Sequence, residues 1–261
     1  MRSLTLIRTY LRIAIANELQ YRTSFLTQLL QSATALAVGL VGLQLVFART
    51  ADLAGWTAPE LLAVMGVHIL MGGVIHGYIQ PNMLRLLDEI QEGTLDFALT
   101  KPVDGQVIIS LREFHFWSLV DVVLGLIVLG VAAQQNQARV GPGQGLAFVA
   151  TLLMGGVILY CFWLMLSASA FWIIRVGEIV ELFEGVYAAG RWPVGIYPRY
   201  LRLSLTFIIP ISFAVTVPAE ALTNRLTPQT LLGTLGLTVL LLVVSRLVWL
   251  RGLRKYSGAS A

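Results

Sequence analysis

Long apolar runs are the feature of this sequence that most constrains its fold. The hydrocarbon core of a bilayer is about 30 Å thick, so a helix that crosses it needs about 20 mostly apolar residues. Runs of this kind occupy 25–48, 59–79, 112–133, 146–174, 204–222 and 229–250. Pro210 and Pro218 interrupt the fifth run. The sequence therefore predicts an all-α integral membrane protein with about six transmembrane helices.

Composition supports one membrane domain over the whole chain. Of the 261 residues, 57% are hydrophobic and 12% are charged, whereas soluble globular domains carry about 25% charged residues. No segment between the runs is long enough to bury a core of its own. We predict a single domain, 1–261, with an interfacial elbow helix in 1–24, the six spans in 25–250 and a cytoplasmic tail in 251–261.

Lysine and arginine are unevenly distributed between the two sides of the predicted membrane. If both termini are inside, only Arg49, Arg139 and Arg225 of the 18 Lys and Arg residues lie outside. The positive-inside rule then predicts that both termini are cytoplasmic. The basic residues are dispersed around the ends of the apolar runs, which indicates contact with the lipid bilayer and argues against nucleic acid as a partner.

A short amphipathic segment precedes the first span. Apolar residues follow a helical spacing through 4–20, and Arg8 and Arg12 lie one turn apart on the other side. This pattern is typical of an elbow helix on the inner leaflet. An ordinary basic flank is the alternative.

The segment 83–99, between spans two and three, carries the most information about function. Its charged positions share about one third of a helical wheel: Arg85, Asp88, Glu89, Glu92 and Asp96. Its apolar positions occupy the opposite side: Met83, Leu86, Leu87, Ile90 and Phe97. We expect Asn82 to cap the helix and Gly93 to break it. Such a helix lies across the membrane surface, either as a coupling helix that passes motion from a soluble motor to the spans, or as a solvated loop.

A second acidic segment follows the fourth span. Glu178, Glu181 and Glu184 fall on one side of a predicted helix. They form either a second contact with a motor protein or the solvated side of a long fourth span that continues into water.

Two ionisable residues lie well inside predicted spans, about nine residues from one end, where such residues are costly and indicate function. His68 and Asp121 belong to the antiparallel second and third spans and are expected at similar depth, where they pair. The pair is either a polar element of a transport path or a structural hydrogen bond between two helices.

Motifs for catalysis and cofactor binding are absent from the sequence. There is no G-x-x-x-x-G-K-[ST], so ATP binding is not predicted for this chain, and neither G-x-S-x-G nor H-E-x-x-H occurs. The lone Cys161 and the dispersed histidines 68, 76 and 115 predict no metal site. We expect the chain to be no enzyme and to carry no cofactor.

The order of these elements resembles the type-2 ABC-transporter permeases. The likeness covers nearly the whole chain, and its short motifs are Glu92-Gly93-Thr94-Leu95-Asp96 with Leu99 and Lys101-Pro102, Arg191-Trp192-Pro193, Tyr197-Pro198, and the spaced Pro210 and Pro218. More narrowly, these motifs are similar to a prokaryotic family often encoded as two permeases beside one ATPase.

This resemblance implies a protein of the prokaryotic plasma (inner) membrane and two kinds of partner. A second permease, identical or related, would enclose the path with this chain, and a pair of ATPases would bind ATP and Mg and drive transport. The resemblance places the ATPase contact on 84–92, beginning at Leu84. It gives no information about the substrate.

Three functions are compatible with these patterns. The first is the permease subunit of an ABC exporter. The second is a secondary transporter or channel, which would use His68 and Asp121 near the midplane. The third is a membrane-bound enzyme, which would need polar residues converging at one depth.

Overall fold

A computed structural model describes residues 22–136, 141–173 and 177–256. The side chains of 22–25 and 177–182 lie outside this description, as does the predicted elbow helix in 1–24. The described residues form helices, with a single isolated bridge between Leu53 and Trp56 as the one β-type contact among them.

Eleven α-helices follow one another in the described residues. They are α1 Arg22–Phe47, α2 Ala58–Val74, α3 Gln80–Glu92, α4 Asp96–Leu99, α5 Gly105–Ile109, α6 Leu119–Gln135, α7 Pro142–Ala168, α8 Gly177–Ala189, α9 Arg199–Leu203, α10 Val217–Leu222 and α11 Pro228–Lys255. Three π-helical segments lie at Ile75–Ile79, Ser204–Ile208 and Ser212–Thr216. Three 3₁₀ turns lie at Phe116–Ser118, Ser169–Phe171 and Val194–Ile196.

Five of the described helices are long and apolar enough to cross a membrane. They are Leu26–Phe47, Ala58–Glu92, Phe116–Gln135, Pro142–Phe171 and Pro228–Lys255. The bent pair Arg199–Ile208 and Ser212–Leu222 makes a sixth if it counts as one span. The prediction of an all-α multi-pass membrane protein with about six spans is confirmed.

The helix Ala58–Glu92 is the centre of the bundle. Within the described structure, 78% of its most apolar window is buried, compared with 6% for Leu26–Phe47. We call the end of the bundle that carries Arg85, Arg112 and Arg246 the basic end, and the other end, where Arg225 pairs with Glu60, the Glu60 end.

Glycines bring α2 and α6 into backbone contact. A Cβ atom at Gly125 would lie 2.6 Å from the backbone nitrogen of Leu70 and 2.8 Å from the carbonyl oxygen of Gly66. Gly73 likewise approaches the carbonyl oxygen of Ser118. Small residues at such crossings let membrane helices pack closely.

We expect Gly125→Ala to destabilise the protein by about 1–3 kcal/mol, because the methyl group would meet backbone atoms that cannot move aside. Gly130→Ala is the matched control, since nothing lies within 4 Å of a Cβ at that position of the same helix. Thermal unfolding in detergent measures both. Equal melting temperatures for the two variants would contradict the described contact between α2 and α6.

The helix α3 continues the span that begins at Ala58, which corrects the prediction of a separate helix across the membrane surface. Pro81 lacks the N–H that would bond to the carbonyl of Gly77 in an α-helix. The π-helical segment Ile75–Ile79 precedes this position, and the free Gly77 carbonyl instead accepts from the backbone N–H of His115 at 2.8 Å. The chain therefore passes through a proline without ending the helix.

Asn82 does not cap a helix, contrary to prediction, because the helix does not begin there. Its buried side-chain amide donates to the carbonyl oxygens of Tyr78 and Glu113, both at 2.7 Å. Its side-chain oxygen accepts from the backbone N–H groups of Arg112 and Glu113, both at 2.9 Å. Asn82 thus fixes the segment that leads into α6.

Gly93 ends α3 as predicted. It adopts φ +73° and ψ +16°, the left-handed conformation that favours glycine at a helix C-terminus. The backbone N–H groups of Thr94 and Leu95 then both donate to the carbonyl of Glu89. The chain turns sharply at this point and enters α4.

The predicted span 204–222 is broken into two helices. The two helices Arg199–Ile208 and Ser212–Leu222 meet at 80°. Ile209 is extended, at φ −117° and ψ +100°, because the ring of Pro210 disfavours helical conformation in the residue before it.

Two separate helices lie along the two halves of Ala58–Glu92 where one span was expected. The Tyr187 hydroxyl of α8 donates to the carbonyl of His68 at 2.7 Å. The segment Ser212–Leu222 packs on α2 and α7, and a Cβ at Gly190 would contact the side chain of Ile211. These contacts place α8 and Ser212–Leu222 end to end, with 191–210 inserted between them.

Candidate functional site

The helix α3 is attached to the bundle through its apolar side. Met83, Leu86, Leu87 and Ile90 are buried, each with 8% or less of its surface exposed. They face α7 and the turn Ser169–Phe171. Because α3 is continuous with α2, a displacement of α3 would move a central helix of the bundle.

The predicted coupling residues differ in their exposure. Arg85, Asp88 and Glu92 are exposed, whereas Leu84 and Asp96 are half-buried. The exposed carboxylates of Asp88 and Glu92 lie one turn apart on α3. They form the acidic part of the surface at the basic end.

Glu89 is not exposed, although it lies on the charged side of the helical wheel with Asp88 and Glu92. Its two carboxylate oxygens accept from Nη1 of Arg112 at 2.6 and 2.8 Å, and it also accepts from Nε of Arg85 at 3.2 Å. The side chain of Arg112 is 6% exposed and that of Glu89 is 16% exposed. Glu89 is thus half of a buried ion pair that ties α3 to the segment before α6.

Phe97 is exposed, although the helical wheel placed it on the buried side. Its exposed fraction is 78%, the largest among the exposed large apolar residues of the described chain. The turn at Gly93 breaks the helical register, so positions after Gly93 no longer follow the wheel of α3. Gly93 itself was the signal that Phe97 belongs to a new helix.

The turn that presents Phe97 is anchored to the end of α11. Leu95 is fully buried, and its backbone N–H donates to the Tyr256 hydroxyl at 3.1 Å. The exposed ring therefore stands on a fixed turn. We call Asp88, Glu92 and Phe97 together the docking surface, after the contact with a motor protein that the sequence predicts for this segment.

A cavity of about 230 Å³ lies inside the bundle, among α1, α2, α6 and α8. Its polar and charged lining residues are Ser32, His68, His76, Asp121, Glu184, Tyr187 and Arg191. Arg191, which the charge count placed in the cytoplasm, thus lies beside residues of the middle of the bundle. Interior polar residues of this kind are rare in membrane helices and indicate a functional or a structural need.

Asp121 does not pair with His68, although both line this cavity. The Asp121 carboxylate accepts from Gln28 Nε2 at 2.8 Å and from the Ser32 hydroxyl. His68 instead stacks on Tyr187, with ring centroids 4.5 Å apart. The predicted pairing is wrong because α1, which the prediction left out, supplies both partners of Asp121.

Glu184 is also bound within the bundle. Its carboxylate contacts Nε2 of His76 at 3.2 Å and accepts from Nε2 of Gln80 at 3.1 Å. Because 43% of the Glu184 side chain is still exposed, a second partner contact that includes Glu184 stays a prediction. The side chains of Glu178 and Glu181 lie outside the described residues.

The contacts of Asp121 predict how two substitutions differ. Asp121→Asn keeps an acceptor for Gln28 or Ser32, so we expect a loss of stability of about 1 kcal/mol, whereas Asp121→Ala leaves both unpaired and should cost about 1–3 kcal/mol. Thermal unfolding in detergent separates the two. If Asn destabilises as much as Ala, the negative charge matters more than the hydrogen bonds, and the account of Asp121 as a hydrogen-bond acceptor is refuted.

Comparison with known proteins adds one match. A family model described as ABC-2 family transporter protein matches residues 33–260, nearly the whole chain. No curated protein and no solved structure matches.

Proposed function

The chain belongs to the ABC-2 family of transporter proteins, and we propose that it is the membrane subunit of an exporter driven by a separate ATPase. Membership of the family supports the role of a permease and a partnership with ABC ATPase subunits.

The docking surface is the observation that carries the proposal. It combines two exposed carboxylates with an exposed aromatic ring, and aromatic residues are enriched among the dominant contacts of protein interfaces. Its helix α3 is packed against the bundle and continuous with α2. We infer that an ATPase bound here moves α2 and thereby opens and closes the path.

We also propose an orientation of the chain in the membrane. The basic end faces the cytoplasm of a prokaryotic cell, with both termini inside, as the positive-inside rule favours. Cysteines at Asp88 and Asp52 test this orientation, because both positions are exposed and lie at opposite ends of Ala58–Glu92. Labelling of position 88 from outside intact cells, with position 52 protected, would contradict it.

We further propose that the chain assembles with a second permease subunit, identical or related. The type-2 plan that this chain resembles encloses the path between two such subunits. We therefore place the main path between subunits.

Coexpression with the ATPase encoded nearest to its gene tests the proposed function. We expect the two proteins to copurify and the complex to hydrolyse ATP, while the permease alone shows no ATP turnover. Robust turnover by the purified permease would refute the division of labour. Transport by the permease alone, driven by an ion gradient, would favour a secondary transporter.

A further inference from the structure

A second and larger cavity, of about 880 Å³, opens at the side of the bundle between the helix Ala58–Glu92 and α7. Its walls are almost entirely apolar and include Leu70, Met71 and Val74 from one helix and Leu152, Leu153 and Val157 from the other. The side chain of Leu153 is exposed. The cavity has the size of a ligand site, and its walls suit a hydrocarbon chain.

One end of this cavity is polar. Arg246 donates to both carboxylate oxygens of Asp104, at 3.0 and 2.5 Å, and to the side-chain oxygen of Gln106 at 2.8 Å. The Tyr160 hydroxyl lies 2.6 Å from the Ser110 hydroxyl and accepts from Gln106 at 3.2 Å. All five residues line the cavity.

The polar end holds one positive and one negative charge. The guanidinium of Arg246 keeps the pKa of Asp104 below its ordinary value, so the carboxylate is ionised at neutral pH. Both side chains remain accessible, with 39% of Arg246 and 42% of Asp104 exposed. Each retains capacity for a further hydrogen bond to a ligand.

The polar end and the apolar walls of the cavity lie at the membrane depths of a lipid headgroup and its acyl chains. Counted from Pro228 at the Glu60 end of α11, Arg246 lies about 27 Å along the helix, close to the far edge of a hydrocarbon core about 30 Å thick. Leu70 lies about 18 Å along the helix that starts at Ala58, near the bilayer centre. The cavity thus runs from headgroup level at the basic end to the middle of the membrane.

We propose that this cavity binds a phospholipid with an ethanolamine-type zwitterionic headgroup, taken from the leaflet at the basic end. The lipid ammonium donates to Asp104 and the phosphate accepts from Arg246, with Ser110 and Tyr160 near the ester oxygens. An acyl chain lies along Leu70 and Leu153. An anionic headgroup would bring its phosphate to Arg246 without a partner for Asp104, so the pair of opposite charges selects a zwitterion.

Native mass spectrometry of the full chain in detergent tests the proposal with phosphatidylethanolamine and phosphatidylglycerol of the same acyl chains. We expect phosphatidylethanolamine to bind about tenfold more tightly, the order of effect of one charged hydrogen bond. Asp104→Asn leaves Arg246 without its carboxylate, and asparagine also serves as the cap of α5. This variant should reverse the preference in favour of phosphatidylglycerol.

A second variant tests the place of binding. Gly156 lines the cavity, and a Cβ there would have Met71 Cε at 3.9 Å as its one neighbour within 4 Å, so Gly156→Leu fills the cavity without a backbone clash. Gly130→Leu adds the same atoms at a position with no neighbour within 4 Å. We expect lipid binding to fall about tenfold in the first variant, on the scale of a displaced apolar contact, and to be unchanged in the second.

Three results would overturn the proposal. They are an equal affinity of the original chain for the two lipids, an unchanged preference in Asp104→Asn, and full binding by Gly156→Leu. Efficient disulfide formation between two chains through Leu153→Cys would also overturn it, because a second copy would then cover the cavity. None of these measurements requires the ATPase, so their outcome is independent of the proposed export function.

Discussion

Replacing Glu89 with alanine is expected to destabilise the folded chain by about 3–5 kcal/mol, the usual effect of removing one partner of a buried ion pair. Arg112 is 6% exposed, and among the described residues its Nε and Nη2 atoms have no hydrogen-bond partner. The variant would leave this guanidinium buried without its counter-charge. Thermal unfolding of the purified protein in detergent measures the loss.

Two further variants test whether the loss of stability comes from the buried ion pair. Glu92 is exposed one turn along the same helix, so Glu92→Ala should change stability by less than about 0.5 kcal/mol. Replacing both Glu89 and Arg112 with methionine removes both charges and should recover most of the loss. Equal stability of the two single variants would contradict the buried ion pair.

Replacing Phe97 with alanine is expected to weaken binding of the ATPase by about 2 kcal/mol or more, which is about 30-fold in the dissociation constant. An exposed aromatic ring on a fixed turn loses little freedom when it enters a pocket of a partner. The substitution removes no buried contact, because 78% of Phe97 is exposed. The permease should therefore stay folded while the copurified ATPase falls.

Further variants distinguish the contribution of the Phe97 ring to ATPase binding from that of the residues around it. Thr100→Ala changes an exposed residue one turn after Phe97 and should leave ATPase binding within about twofold, as surface changes away from a dominant contact do. Asp88→Lys with Glu92→Lys reverses the charges of the docking surface, and like charges at an interface cost several kcal/mol against a basic groove. Undiminished ATPase binding in Phe97→Ala would show that the partner docks elsewhere.

Local patterns predicted the parts of the fold that depend on local physics. Apolar runs located the spans because the bilayer thickness sets their length. Gly93 predicted the end of α3 because few other residues adopt its left-handed conformation. The buried side of α3 followed from helical periodicity, up to the point at which the periodicity was broken.

The wrong predictions concern side chains whose position depends on contacts with residues distant in the sequence, or on a change of helical register. Glu89 is buried because Arg112 reaches it from the next helical segment, and a single wheel of α3 contains no information about that neighbour. Phe97 was placed on the wrong side because the wheel was continued past Gly93. The partners of Asp121 come from α1, 89 and 93 residues away in the sequence.

The fifth span shows a further limit of hydropathy. Pro210 predicts a break in the helix but not the angle between its two parts. The helix before Pro210 lies at 80° to the helix after it. The half of this position at the basic end is instead filled by α8, whose glutamates had suggested either a second contact with a motor protein or a solvated helix. The contacts of Glu184, Tyr187 and Gly190 with the middle of the bundle place α8 there.

Photo-crosslinking from position 97 tests most directly the claim that a separate ATPase drives this permease through the docking surface. Phe97 is replaced by p-benzoylphenylalanine in the complex coexpressed with the ATPase, and Asp52, exposed at the Glu60 end, is replaced in the same way as the control. We expect irradiation to join the permease to the ATPase from position 97 and not from position 52. A crosslink from position 52, or none from position 97 in a complex that hydrolyses ATP, would contradict the account.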